Sequence, residues 1–108
     1  MTVEIFAEKY GYEILNMSDP EREITGGYAG DLLSWVMGRL CEGSAWVTIM
    51  SNLNIVAVAT LTDPSCIILS EGVDLDEGVI SRAQQQGVNL LRTTKDSFSV
   101  CADIKASL

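Results

Sequence analysis

AWVTIMSNLNIVAVATLTDPSCIIL (Ala45–Leu69) is the stretch on which the fold turns. Its ends are clear. Ala45–Met50 is a buried strand, rich in β-branched residues and carrying Trp46. Cys66–Leu69 is a brief apolar strand, set off by the turn pair Asp63-Pro64. The middle, Asn52–Pro64, reads two ways. Its β-branched content favours a strand, whereas its length and polar cap candidates allow a helix. A helix over 54–61 makes the stretch a strand–helix–strand unit. A strand there would pair as a central member of the sheet.

Outward from this stretch, helices and strands alternate. Val3, Phe6, Ala7 and Tyr10 lie at helical spacing, with Thr2 as cap and Gly11 as stop. Residues 12–17 form a short strand closed by Ser18-Asp19-Pro20. Asp31 is placed to cap a second helix with the stripe Leu32, Leu33, Val36, Met37 and Leu40, ending at Gly43. Downstream, Asp74–Gly87 reads as a helix with acids in its first turn and a glycine stop. Residues 88–91 are a strand, and Asp96–Leu108 is a last helix with Phe98, Cys101, Ile104 and Leu108 inward. The strands are continuous apolar runs, the mark of a mostly parallel sheet covered on both faces. The expectation is one three-layer α/β/α domain over residues 1–108, with core strands at 12–17, 46–50, 66–69 and 88–91.

Composition narrows function. The chain is 47% apolar and 20% charged, a globular balance. A net charge of −8 argues against nucleic acid or an anionic membrane as partner. Met1–Tyr10 holds Glu4, Glu8 and Lys9, unlike a secretory signal, and the uncharged run Gly43–Thr62 is too polar to span a membrane. Cys41, Cys66 and Cys101 lack CxxC spacing and read as buried, reduced thiols of a cytoplasmic protein. With no histidine, His-based triads, bases and metal sites are excluded. Three scattered cysteines do not make a zinc site unaided. No cofactor and no metal is expected. Asp74, Asp76 and Glu77 read as helix-dipole partners, and Trp35 and Trp46 as core or dimer-interface groups.

One segment invites a functional reading: REITGGYAGDLLSWVM (Arg22–Met37), a glycine-rich stretch ahead of a helix. A P-loop needs Lys and Ser/Thr after its glycines, and here Gly30-Asp31-Leu32 stands instead. Asp31 would repel a phosphate and occupy the amides that bind one. The dinucleotide fingerprint fails as well, because Thr25 stands where its first glycine belongs. In the plain reading Gly26 and Gly27 supply left-handed turn geometry and Asp31 caps a helix. In the sharper one Arg22, Thr25, Gly26, Gly27, Tyr28 and Asp31 converge on a small ligand or a partner. An enzyme acting on a phosphorylated or acyl metabolite is the alternative, and would need an acid/base pair such as Glu21 and Asp31.

These segments together carry a resemblance. EREITGGYAGDLLSWVM, then VTIMSNLNIVAVATLTDPSCIIL, then EGVDLDEGVISRAQQQGVNLL resemble the DRTGG domain family in order and spacing. The name-giving motif is similar to Glu21, Arg22, Thr25, Gly26 and Gly27, with Glu in place of Asp. The family is similar to the amino-terminal domain of HPr kinase/phosphorylase, a three-layer α/β fold without the kinase chemistry. The resemblance implies that 54–61 is helical. It also implies a regulatory or assembly role, and the first expectation is a non-enzymatic regulatory module that acts as a homodimer and binds a small phosphorylated or nucleotide-like ligand or a partner protein. Arg22 is then expected to pair with Glu23 or Asp31 near the interface, with Tyr28 packing across it.

Overall fold

Asn54–Thr62 is a helix, and the reason is topological as much as local. The computed structural model describes all 108 residues. The elements run α1 (Val3–Tyr10), β1 (Glu13–Asn16), β2 (Gly26–Ala29), α2 (Leu33–Arg39), β3 (Ser44–Thr48), α3 (Asn54–Thr62), β4 (Cys66–Leu69), α4 (Val79–Gln86), β5 (Leu90–Arg92) and α5 (Ser97–Ser107). β3 and β4 are parallel neighbours, and parallel neighbours need a crossover rather than a third strand between them. α3 buries Ile55, Val56, Val58 and Ala59, so its β-branched residues are paid for by packing.

The sheet has the order β1-β5-β4-β3-β2. β2 to β5 run parallel in chain order, while β1 joins β5 antiparallel at the far edge. Three consecutive crossovers of one hand put α2, α3 and α4 on one face. The strands alternate between two cores. Trp46, Ile67, Leu69 and Leu90 meet Val36, Ile55, Val56 and Val79. Ala45, Val47, Cys66, Ile68 and Leu91 meet Val3 and Phe6 of α1 and Val100 and Ile104 of α5. This is the expected α/β class: a mixed, mostly parallel sheet flanked by helices.

Four of the strands fall on the four expected segments, with boundaries shifted by up to two residues. The fifth, β2, lies where the sequence predicts a glycine turn. Other expectations need correction. Asp31 does not cap α2, whose N-cap is Leu32 with no side-chain bond; its Oδ1 instead accepts from Thr48 Oγ1 (2.8 Å) and Ile49 N (2.9 Å). α4 starts only at Val79, after Gly78 (φ 87°), so Asp74, Asp76 and Glu77 precede it. In α5 the inward residues are Val100 and Ile104, four apart; Phe98, half a turn off that line, is 86% exposed, and Leu108 too is exposed. In α2 only Val36 and Leu40 of the expected stripe are buried, while Leu32 and Met37 are exposed. Trp46 is in the core and Trp35 is exposed beneath the Arg39 guanidinium, 3.8 Å from its ring. Cys66 is buried, Cys101 part-buried and Cys41 exposed, which corrects the reading of three buried thiols.

Between β1 and β2 the chain crosses from one edge of the sheet to the other. It passes beneath the amino ends of the three intervening strands and is tied to each. The Asn89 amide, just ahead of β5, donates to Asp19 O (2.7 Å) and accepts from Asp19 N (2.9 Å). Arg22 reaches Asp63 ahead of β4, and Thr25 N donates to Gly43 O (3.1 Å) ahead of β3.

Candidate functional site

The glycine segment is a strand. Gly26, Gly27 and Gly30 are absent from the residues with positive φ, so left-handed turn geometry is not why glycine stands there. The cause is close approach. A Cβ on Gly27 would lie 3.0 Å from Ile104 Cγ2 of α5, and one on Gly26 would lie 3.2 Å from Ser44 Oγ. Gly30 leaves room for the Tyr28 ring, which packs half-buried on the α2–α4 side.

Arg22 pairs with neither Glu23 nor Asp31. Its Nη1 donates to Asp63 Oδ1 (3.1 Å), and its Nη2 donates to Asp63 Oδ2 (3.1 Å) and to the Asp63 carbonyl (3.2 Å). Asp63 sits at φ 55° as the C-cap of α3, where the backbone carbonyl and the helix dipole both favour a cation. The Arg22 hydrogen bond holds the Asp63 carboxyl below the usual carboxylate range, and the same bond raises Arg22. Thr25 sits over Gly43 (φ 84°), where any Cβ would run into its Oγ1. Arg22 and Thr25 thus fasten the crossing segment.

The six candidate residues therefore do not converge. Arg22 and Thr25 lie at the amino end of β2, Gly26, Gly27 and Tyr28 within it, and Asp31 beyond its carboxyl end. Glu21 and Asp31 flank opposite ends of β2 and do not face one another as an acid and a base. No group of three or more His, Cys, Asp or Glu is placed to hold a metal ion.

Two hollows adjoin the segment. One, of about 240 Å³, opens at the amino end and is polar, lined by Asp19, Arg22, Asp63, Ser65, Gln86 and Asn89 among others. The other, of about 220 Å³, is an apolar groove between α5 and the β2–β3 part of the sheet, walled by Gly27, Ala29, Val47, Cys101, Ile104 and Leu108 among others. The sequence reads Asp63 as a turn residue and Leu108 as part of an inward helix face, and gives Asn89 no role. Asp63-Pro64 looked like a plain turn, and Asn89 sat inside an apolar run whose strand begins one residue later.

With this geometry in hand, comparison with known proteins is specific. The model of the DRTGG domain matches residues 29–107. The match starts two residues past Gly27, so it rests on the sheet and helices rather than on the glycine motif. No curated protein matches. Among solved structures, the chain is similar to the CBS and DRTGG domains of the regulatory region of Clostridium perfringens pyrophosphatase, crystallised with its activator diadenosine tetraphosphate. The TM-score is 0.74 at 19% identity, covering 99% of this chain and 47% of that one. The chain thus spans about half the length of that structure, and at this identity the likeness is one of fold. No helix is long and apolar enough to cross a membrane. The family model covers well over half of the chain, and the chain belongs to the DRTGG domain family.

Proposed function

We propose that this chain is a single regulatory unit without catalysis of its own, working as a homodimer and responding to a small ligand or a partner protein. One observation carries the reading: the glycine segment is an open edge strand beside an apolar groove, not a cradle for phosphate. Arg22, the cation nearest the glycines in sequence, is held by Asp63. Membership of the DRTGG family and the regulatory setting of the Clostridium perfringens relative support the same reading. That relative was crystallised with a nucleotide activator, which makes phosphorylated, nucleotide-like compounds the first class to try.

The test is thermal unfolding with adenine nucleotides, diadenosine tetraphosphate, acyl phosphates and sugar phosphates, with phosphate release followed in the same samples. A binder at a hundred times its Kd stabilises by about 2.7 kcal/mol. The expected result is a raised Tm for one class, no phosphate release, and a dimer by light scattering. Release in proportion to protein would overturn the non-catalytic reading, and a monomer would overturn the dimer.

A further inference from the structure

The two edges of the sheet are built differently. β1 carries Glu13, bound to Arg92 through two hydrogen bonds (2.9 and 3.2 Å), and its register with β5 slips between Ile14 and Asn16. A charge and an irregular register are the usual means by which proteins keep an edge from pairing with another chain. β2 has neither. It pairs only with β3, and Thr25 to Gly30 contain no charged residue and no proline. Alternate peptide groups of such a strand point away from its one neighbour. Beside them lies the apolar groove of about 220 Å³, open where Gly27 and Ala29 are exposed and walled by α5.

Charge restricts where a second copy can dock. A second copy brings another −8, so two copies can meet only where negative charge is sparse. From Ile24 to Cys41 the one acid is Asp31, whose Oδ1 is already bonded to Thr48 and Ile49. Arg39 ends α2, Lys105 lines the groove, and no acidic side chain lines the groove itself. A standard interface takes about 800 Å² per partner, roughly a seventh of the 5502 Å² surface. The β2 edge, its groove and the exposed Leu108 beside it offer a low-charge place to find that area.

We infer that two copies join through β2, strand against strand and antiparallel about a two-fold axis, into one continuous ten-stranded sheet. The bare glycines let the backbones meet, and the two grooves merge on the α5 face, where Leu108 of each copy is covered. Such a contact is isologous and closes at the dimer. This rests on the dimer reading above and adds its geometry.

The test separates the two. Light scattering measures the mass of the wild type, of Ala29→Lys, which puts a guarding charge on the β2 edge, and of Ile14→Lys on the opposite edge. Circular dichroism checks that each is folded. Amide hydrogen exchange of the wild type at low and high concentration follows the amides of Gly26 to Ala29 directly. The inference expects a wild-type dimer, a folded Ala29→Lys monomer, a dimeric Ile14→Lys, and amides in β2 that gain protection with concentration. A monomeric wild type would overturn the dimer reading and this inference together. β2 amides equally protected at two concentrations that scattering shows to be monomeric and dimeric, or a dimeric Ala29→Lys, would overturn this inference alone. Should Ala29→Lys not fold, the wild-type exchange data decide.

Discussion

Gly27→Ala tests why the second glycine of the motif is there. Two effects oppose each other. In a strand, alanine is better than glycine by about 0.5–1 kcal/mol, because less chain entropy is lost on folding. Against this, the added Cβ would lie 3.0 Å from Ile104 Cγ2 and 3.8 Å from its Cδ1. Ile104 is only 3% exposed and is held between β2 and the α1–α5 core, so it cannot swing aside freely. Overpacking of this kind costs about 1–3 kcal/mol, so the net effect is a loss centred on about 1 kcal/mol and no larger than about 2.5, or roughly 5 °C in Tm at the centre for a domain of this size. The sign reverses once the obstacle is removed. Ile104→Ala alone costs about 2–5 kcal/mol, but in that background Gly27→Ala keeps only its entropic gain and is neutral or stabilising. Urea unfolding of the four proteins at one fixed concentration gives the coupling directly, expected at about 1–3 kcal/mol. A Gly27→Ala protein as stable as wild type, or one losing equally in both backgrounds, would refute close packing as the reason for this glycine.

Arg22→Lys keeps the charge but not the two-pronged geometry, and because Asp63 is more than half exposed the loss is about 0.5–1 kcal/mol in urea unfolding. Arg22 lowers the folded-state titration of Asp63, so this contribution is present above the ordinary carboxylate range and is lost as pH falls through the lowered value; Asp63→Asn flattens the acid limb of the Tm profile. Burial pushes the Cys66 thiol up to about 12, so its contribution is present below the ordinary thiol range and is lost, at about 1.4 kcal/mol per pH step, as alkali ionises the unfolded chain. Cys66→Ala therefore falls less steeply than wild type above about pH 9, while the upward shift of Tyr12 by burial and its bond to Asp103 leaves both proteins some alkaline loss. Thiol titration of the native protein finds Cys41 fast, Cys101 slow and Cys66 only after unfolding.

The sheet and its crossovers were legible because burial wrote them as apolar runs. Val47 and Ile68 look to one core and Trp46 and Ile67 to the other, and both faces needing apolar residues leaves no alternation to misread. α3 was not legible from propensity: Ile55, Val56 and Val58 are β-branched, and only the parallel pairing around them requires a helix. β2 was hidden for the opposite reason. Its glycines serve the approach of Ile104 and Ser44 Oγ, contacts that lie 77 and 18 residues away and leave no local mark. The glycine motif likewise suggested a convergent site. Its arginine answers to Asp63 at the cap of α3, a partnership set by the tertiary path alone.

That path also dictates an order of events. β1 and β2 are consecutive in the chain yet occupy opposite edges, and β1 has no neighbour except β5, at residues 90–92. β2 to β5 can condense one after another, each strand docking on the previous one by a single short-range crossover. β1 has no such local partner, whereas Met1 and α1 are bonded to the crossing segment at Ile24, Arg22 and Pro20. Glu13–Asn16 find their sheet partner only at Leu90–Arg92, more than seventy residues further along the sequence. The crossing segment, fastened at Asp19, Arg22 and Thr25, closes over three strand ends that must already be in place. The motif for which the family is named thus ties the entry to β2 to the amino ends of β3 and β4, through Gly43 and Asp63.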